Sequence, residues 1–453
     1  MKTEPAVTNQ LEHLVLDFKQ MREFAKEPFI IEKGDGIRIT DTNGKTYIDG
    51  LSGVFVASLG YNNRQIIAAL TEQLQTLNFA PPLHGTNPRA LELAELLRRF
   101  APDGLGTVKL LSGGSEATEA AMKLARQYHQ QTGHPRKYKT IAKYGAYHGA
   151  TAAALSAGGG WERKSVFEPL AVGFLHVHAP YCYRCPFDKT YPSCGITCAK
   201  LIEKTIQAED PETVSAVIME PVSISAAGFV VPPKEFFSML RETCTKYDVT
   251  LIFDEIITGF GRLGTNFGAD YYGVTPEVIC CGKGMSSGYA PLAAIVFADR
   301  VQEAFLGEAW ERKEFHHGHT YGGNPVACAA GIAVLTQIRE QGLVQQAAEN
   351  GQYLRGKLEE MYAKYSIIGE VRGAGLLQGV EFVKDRATRE AFTEAKPGKV
   401  VEQAAMERGM IMRCGDEYVA FAPPLITTKG DIDEMCAILD ESIAVAQRKL
   451  LGT

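Results

Sequence analysis

Asp254 and Lys283 carry the strongest chemical signal in this chain. Asp254 closes an apolar run within VTLIFDEIITGFGRLG (249–264), and Lys283 stands between glycines after a second apolar run, ICCGKG, which ends at Gly284. An acid at one strand end and a lysine at another suit pyridoxal phosphate (PLP) chemistry. The lysine holds the cofactor aldehyde as a Schiff base, and the carboxylate keeps the pyridine nitrogen protonated so that the ring accepts electrons. A lysine withdrawn from water has a lowered pKa and is a better nucleophile. Once freed, the same amine can move a proton between substrate Cα and cofactor C4′. The flanking glycines allow the backbone to approach a ligand closely. The plain alternative for Lys283 is a surface position, as for most of the 47 basic residues. Asp254 has a rival reading as well, because an apolar run followed by Asp-Glu also describes a Walker B strand. An ATPase of that kind requires GxxxxGK[ST] upstream, and no such segment occurs.

The elements that must hold these two residues are legible in the middle of the chain. Short apolar runs at 108–111, 138–142, 174–178, 214–219, 251–253, 278–281 and 292–297 lack clean alternation, as expected for strands buried on both faces of a mainly parallel sheet. Amphipathic stretches such as 116–130, 198–208 and 234–247 lie between them, which predicts an open α/β sheet. Ligands in such sheets bind beyond the carboxyl ends of the strands. SGGSEA, YGAYHG, EPV, DE and GKG follow the first, second, fourth, fifth and sixth runs, so all five fall at one edge and predict one composite site. In SGGSEATEAAMKLAR, the unpaired N–H groups at a helix start and the helix dipole favour a phosphate at Gly114 and Ser115. The bland reading is a serine N-cap with glutamate in the first turn.

The flanks differ. Residues 30–50 show two strand-like runs joined by DTNGK, a hairpin signal. From Asn324 a long helical region leads to GEVRGAGLLQGVEF, a helix near 398–409 and a strand-like GMIMRCGDEYVAFAPP. These flanks are read as a smaller α+β domain made from both chain ends (1–60 and 326–453) around a large domain at 61–325.

The chain has 453 residues, 45% hydrophobic and 22% charged, the balance of a globular protein with a sizeable core. A net charge of −6 and a pI near 6.0 argue against nucleic acid and anionic membrane as partners. No apolar run approaches the roughly 18 residues of a membrane span. The start, MKTEPAVTNQLEHLV, lacks the layout of a secretion signal. Ten cysteines without such a signal point to a reducing, cytoplasmic setting.

Taken together, SGGSEAT (112–118), YHG (147–149), DEIITGFGRLG, GKG and TYGGNP (320–325) resemble the class III (omega) aminotransferases, over about residues 30 to 440. The resemblance implies PLP fold type I, with PLP as cofactor, and the same division into domains. It implies that Glu220 sits beside the cofactor and that Ile256 packs on one ring face. Tyr147 is expected over the ring, since aromatic faces stack on a flat heterocycle, although a core tyrosine near a turn is the plain reading. His148 is read as a satisfied structural histidine. Thr320 matches a threonine that reaches the phosphate of the neighbouring subunit's cofactor, which implies a homodimer or a dimer of dimers. Arg413 matches an arginine that binds a carboxylate or moves aside for an uncharged amine, as in the amine:pyruvate branch. Phe55 matches the aromatic that walls the substrate pocket there. Both also have plain readings, as a solvated arginine and a core phenylalanine. The family usually has a polar residue where Leu111 stands and Ser where Gly113 stands, so a side-chain contact to the phosphate is missing or replaced.

The expected activity is transfer of an amino group from an amine or omega-amino acid donor to a 2-oxo acid acceptor, pyruvate, in two half-reactions by way of pyridoxamine phosphate. Alternatives are a taurine:pyruvate aminotransferase and a same-fold epimerase or phospho-lyase. HAPYCYRCPFDKTYPSCGITC departs from most of the family, although taurine:pyruvate-like members also carry such a cysteine-bearing insertion. Cys182, Cys185, Cys194 and Cys198 form pairs that suit tetrahedral zinc, with reduced or redox-active thiols as the other reading. His316, His317 and His319 are too irregular for a metal site, and no metal is assigned a catalytic role.

Overall fold

The computed structural model describes residues 11–223 and 228–452; the first ten residues of the polar N-terminus lie outside them. In chain order the strands are β1 Ile31–Asp35, β2 Arg38–Asp41, β3 Thr46–Asp49, β4 Leu105–Leu111, β5 Lys139–Lys143, β6 Phe174–Val177, β7 Val214–Met219 and β8 Thr250–Asp254. They continue with β9 Val278–Cys281, β10 Ala293–Ala298, β11 Ile368–Ala374, β12 Leu377–Phe382, β13 Met410–Ile411, β14 Arg413–Cys414 and β15 Tyr418–Phe421.

Strands β4 to β10 form the central seven-stranded sheet in the order β4-β10-β9-β8-β7-β5-β6. β9, β8, β7, β5 and β6 pair in parallel, and β10 runs antiparallel to both of its neighbours. Every residue of β7, β8 and β9 is buried, which is why these runs read as continuously apolar. Helices Gly114–Gln131, Thr197–Ala208 and Lys234–Lys246 connect successive parallel strands and cover the sheet. The first presents Ala117, Ala120, Ala121 and Ala125 to Ala142, Ala216 and Ile252, so small side chains bring helix and sheet close together.

The chain ends build two further four-stranded sheets, β1-β2-β3-β13 and β11-β12-β15-β14. A second core joins them, with Ile37 from the β1–β2 turn and Ile48 from β3 packed among Leu358, Phe382, Met410, Phe421 and Leu439. The core of the central sheet extends through helix Pro325–Glu340 (Cys328, Val334, Leu335, Ile338) to Ala347 in helix Leu343–Lys364. We therefore propose a small domain made from both ends, with its C-terminal boundary inside that last helix rather than at residue 325. Among the described residues no helix is long and apolar enough to cross a membrane.

Candidate active site

The carboxyl ends of β4, β5, β7, β8 and β9 meet around one pocket. Gly114, Ser115, Tyr147, Glu220, Asp254, Ile256 and Lys283 all line it, together with His148, Gly149, Val222 and Ile257. Helix Gly114–Gln131 begins there with Gly113 as its N-cap, and no side chain caps it. The serine-cap reading is therefore excluded. Ser115 instead accepts the Ala150 N–H at 3.1 Å, leaving its own proton to donate. A Cβ on Gly114 would stand 3.2 Å from Ile256 Cγ2, and one on Gly149 would stand 2.5 Å from Ser115 Oγ. Gly149 also has φ +141°, so a side chain is disfavoured there on two counts.

Asp254 ends β8 and is 5% exposed. One carboxylate oxygen accepts the Ile256 N–H at 3.2 Å, and the other accepts from His148 Nδ1 at 2.8 Å. Lys283 follows β9 with φ 43°, an unusual backbone for a lysine, of the kind held at functional sites. Its side chain lines the pocket. Burial lowers its pKa, and the nearby Asp254 carboxylate partly offsets that. Glu255, the second acid of the Asp-Glu pair, points into the protein and accepts from Thr258 Oγ1 and from the Gly268 and Ala269 N–H groups, a structural role.

The sequence reading took His148 as a structural histidine outside the chemistry, and the structure places it against Asp254. Its side chain is fully buried between Asp254 and Glu220. Glu220 in turn forms a buried ion pair with Lys143, the last residue of β5. Burial pushes the Glu220 carboxyl up, but the Lys143 ammonium and His148 overcome this and hold it below the ordinary range. The local sequence AKYGAYHG offered one signal, a lysine ending a buried strand, that was not read.

Phe55, Arg413 and Thr320 do not line this pocket. Phe55 is buried with φ 64°, edge-to-face with Phe229 at 6.0 Å, in a cluster that includes Val222 and Ile257. Arg413 is partly buried on β14, its Nε without a hydrogen-bond partner. Thr320 is exposed. The four cysteines of the insertion line one small cleft with free thiols. No group of three or more His, Cys, Asp or Glu able to hold a metal forms among the described residues, so the zinc reading lacks its geometry. Burial pushes the Cys198 thiol up to about 11 and raises Cys182, the opposite of what a reactive thiolate requires.

A PLP-sized group fits what is present: unpaired helix-start N–H groups for a phosphate, an aromatic and a branched aliphatic wall, an acid, and a lysine of lowered pKa. The sequence profile of the family described as Aminotransferase class-III matches residues 21–443. The chain is 37% identical to an adenosylmethionine-8-amino-7-oxononanoate aminotransferase of Geobacter sulfurreducens, covering 95% of each chain. It is 34% identical to a putrescine–pyruvate aminotransferase of Pseudomonas aeruginosa, over 94% of this chain and 93% of that one. The crystal structure of the omega transaminase from Pseudomonas jessenii in complex with PMP superimposes with a TM-score of 0.94 at 32% identity, covering 99% of both chains. With motifs, sheet order and near full-length matches in agreement, the chain belongs to the class III aminotransferases and is a PLP-dependent transaminase.

Proposed function

We propose that this enzyme moves an amino group from an amine or omega-amino acid to pyruvate, in two half-reactions that share one pocket. The observation that carries the reading is the placing of Lys283 and Asp254 in one pocket with the uncapped start of helix Gly114–Gln131. When bound, PLP supplies an aldehyde that condenses with amines and a ring that accepts electrons. The N–H groups of Gly114 and Ser115 would hold its phosphate. Tyr147 and Ile256 would flank its ring. Asp254 would hold the proton of the ring nitrogen, with Glu220 close by. Lys283 would take the proton from substrate Cα. Val222 and Ile257 exclude water and offer an apolar wall that suits a donor without a carboxylate. Arg413 pairs bidentately with the carboxylate of the 2-oxo acid and withdraws for an uncharged donor. Phe55 backs the substrate wall through the cluster it shares with Val222. The enzyme's similarity to the putrescine–pyruvate aminotransferase of Pseudomonas aeruginosa supports the acceptor.

The test is a panel of amine donors offered with pyruvate or with 2-oxoglutarate. Alanine formation from simple amines is the expected outcome. Glutamate alone would overturn the acceptor, turnover of taurine alone would move the donor class, and product without any acceptor would replace transfer by elimination.

A further inference from the structure

We propose that one flank of helix Gly114–Gln131 positions Thr320, with Gln127 as the main positioning residue, so that a single helix serves two cofactors. Its first turn meets the phosphate of its own subunit's PLP, and its flank presents Thr320 to the phosphate of the neighbouring subunit. The inference rests on the reading that Thr320 reaches that second phosphate. Residues 312–319, which lead to Thr320, form neither helix nor strand. Among the described residues their backbone makes one hydrogen bond within the segment, from the His317 N–H to the Phe315 carbonyl at 2.7 Å. The remaining polar groups of the chain need partners elsewhere, and the helix supplies them in order. Gln131 Nε2 donates to the Lys313 carbonyl at 2.8 Å. Gln127 clamps the segment with both ends of its amide: Nε2 donates to the Glu314 carbonyl at 2.8 Å, and Oε1 accepts the His316 N–H at 3.1 Å. Lys123 Nζ is 2.8 Å from His317 Nδ1, and His317 Nε2 is 3.0 Å from His319 Nε2. His319 Nδ1 lies 3.8 Å from Glu116 Oε1, and the other oxygen of Glu116 accepts the Ser112 N–H at 2.9 Å, just ahead of the turn that faces the phosphate.

The four helix residues recur at close to whole turns, which keeps them on one side of the helix, while Ala117, Ala120, Ala121 and Ala125 face the sheet from the other. The segment runs against the helix direction, so each step from Lys313 toward His319 moves toward the helix start. From Gln131 to Glu116 the helix rises about 22 Å, and the six steps from Lys313 to His319 reach roughly 20 Å when extended. The segment is therefore drawn out along the helix, and Thr320 follows directly from its end. Phe315 adds an apolar anchor on the other side, edge-to-face with Phe305 at 5.6 Å. Loss of the Gln127 clamp thus loosens the segment without detaching it. The consequence for a dimer is specific: a change on the flank of one helix acts at the cofactor of the other subunit.

The test measures the Kd of PLP by titrating the full-length enzyme, stripped of cofactor, and following the absorbance of the bound form. Gln127→Leu should raise that Kd about fivefold, the worth of the one hydrogen bond that Thr320 makes. Gln127→Leu combined with Thr320→Ala should be no weaker than Thr320→Ala alone, because both remove the same contact. A combined effect multiplied to about 25-fold would show that Gln127 acts independently of Thr320 and would overturn the proposal. Hybrid dimers then locate the effect. One chain carries Lys283→Ala, so only the other chain's site turns over. With Gln127→Leu on the Lys283→Ala chain, the PLP needed for half-maximal activity should rise about fivefold. With Gln127→Leu on the competent chain it should stay at the wild-type value. The opposite pattern would mean that the flank serves its own site, and the proposal fails. Thr320→Ala alone is the control for the underlying reading. If it leaves the Kd unchanged, Thr320 touches no phosphate and that reading falls, whereas a weaker Kd there with none in Gln127→Leu rejects the positioning role alone.

Discussion

Lys283 and Lys143 show how two identical side chains are given different work by their surroundings. Lys283 lines the pocket without a salt-bridge partner at contact distance among the described residues, and burial lowers its pKa; Lys143 is 2% exposed and paired with Glu220. Only the first lines the pocket. Lys283→Ala should therefore abolish turnover and the visible absorbance that bound PLP takes on from its link to a lysine. Borohydride fixation followed by peptide mapping should place the cofactor mass on Lys283, and finding it on Lys143 or elsewhere would refute the assignment. Arg413 is the residue-scale test of substrate class. A fixed buried cation would favour a carboxylate and penalise an uncharged amine, whereas a long mobile one serves both. Arg413→Ala should raise KM for pyruvate by the worth of a charge-assisted pair, about 1.5–3 kcal/mol, and leave the half-reaction with an uncharged amine nearly unchanged. Impairment of both half-reactions would indicate an anionic donor such as a sulfonate. Unchanged pyruvate kinetics would make Arg413 an ordinary surface residue.

At the scale of elements, helix Gly114–Gln131 has to stay seated for its first turn to hold a phosphate, and His129 near its other end pins it. The ring is fully buried, with Nε2 3.0 Å from the Ser215 carbonyl of β7 and 3.2 Å from Thr250 Oγ1 of β8. Burial lowers its pKa from 6.5 to about 4, with Asp248 partly opposing the shift. A base whose folded pKa is depressed contributes stability that is complete above its unfolded pKa and is lost as pH falls through the folded one. The window is thus between about 6.5 and 4. His129→Gln keeps an amide donor but cannot titrate, so it should flatten the fall in unfolding free energy across that window by about 3 kcal/mol. Parallel curves for wild type and variant in urea unfolding would disprove the role. The central strands β7, β8 and β9 were legible because runs buried on both faces read as apolar blocks. The antiparallel sense of β10 was not, since such a block carries no direction. The short connection from Cys281 to Ala293 was a usable hint, because a parallel return requires a longer crossover, usually with a helix. GMIMRC looked like one strand, yet β13 pairs with β3 while β14 pairs with β15, a division decided by partners hundreds of residues away or on another sheet. The site shows the same limit. Glycines, acid and lysine announced themselves by local pattern, but His148 and Lys143 gain their importance only from neighbours that folding brings beside them.

At the scale of the whole molecule, the surface around Thr320 asks for a covering partner. Thr320 is exposed, and the adjoining Tyr321 is 62% exposed with its ring 6.1 Å from Phe79. The segment that carries Phe79 also displays Leu77 at 39% and Leu83 at 94% exposure. Neighbouring apolar side chains left in water mark an interaction surface more often than chance. A second copy of the chain, related by a two-fold axis, would cover the patch twice with one self-complementary contact. We propose a dimer through this contact, in which each Thr320 hydroxyl reaches toward the other subunit's phosphate, as the family resemblance implies. Cofactor retention and assembly are then linked, because a ligand held jointly by two chains stabilises the pair and is lost when they separate. Thr320→Ala should leave the dimer intact and weaken PLP retention by one hydrogen bond, about 1 kcal/mol or fivefold in Kd. Leu83→Glu should instead drive dissociation in light scattering, with cofactor released in proportion to the monomer formed. A fully active monomer that retains its PLP would show that each chain completes its own site.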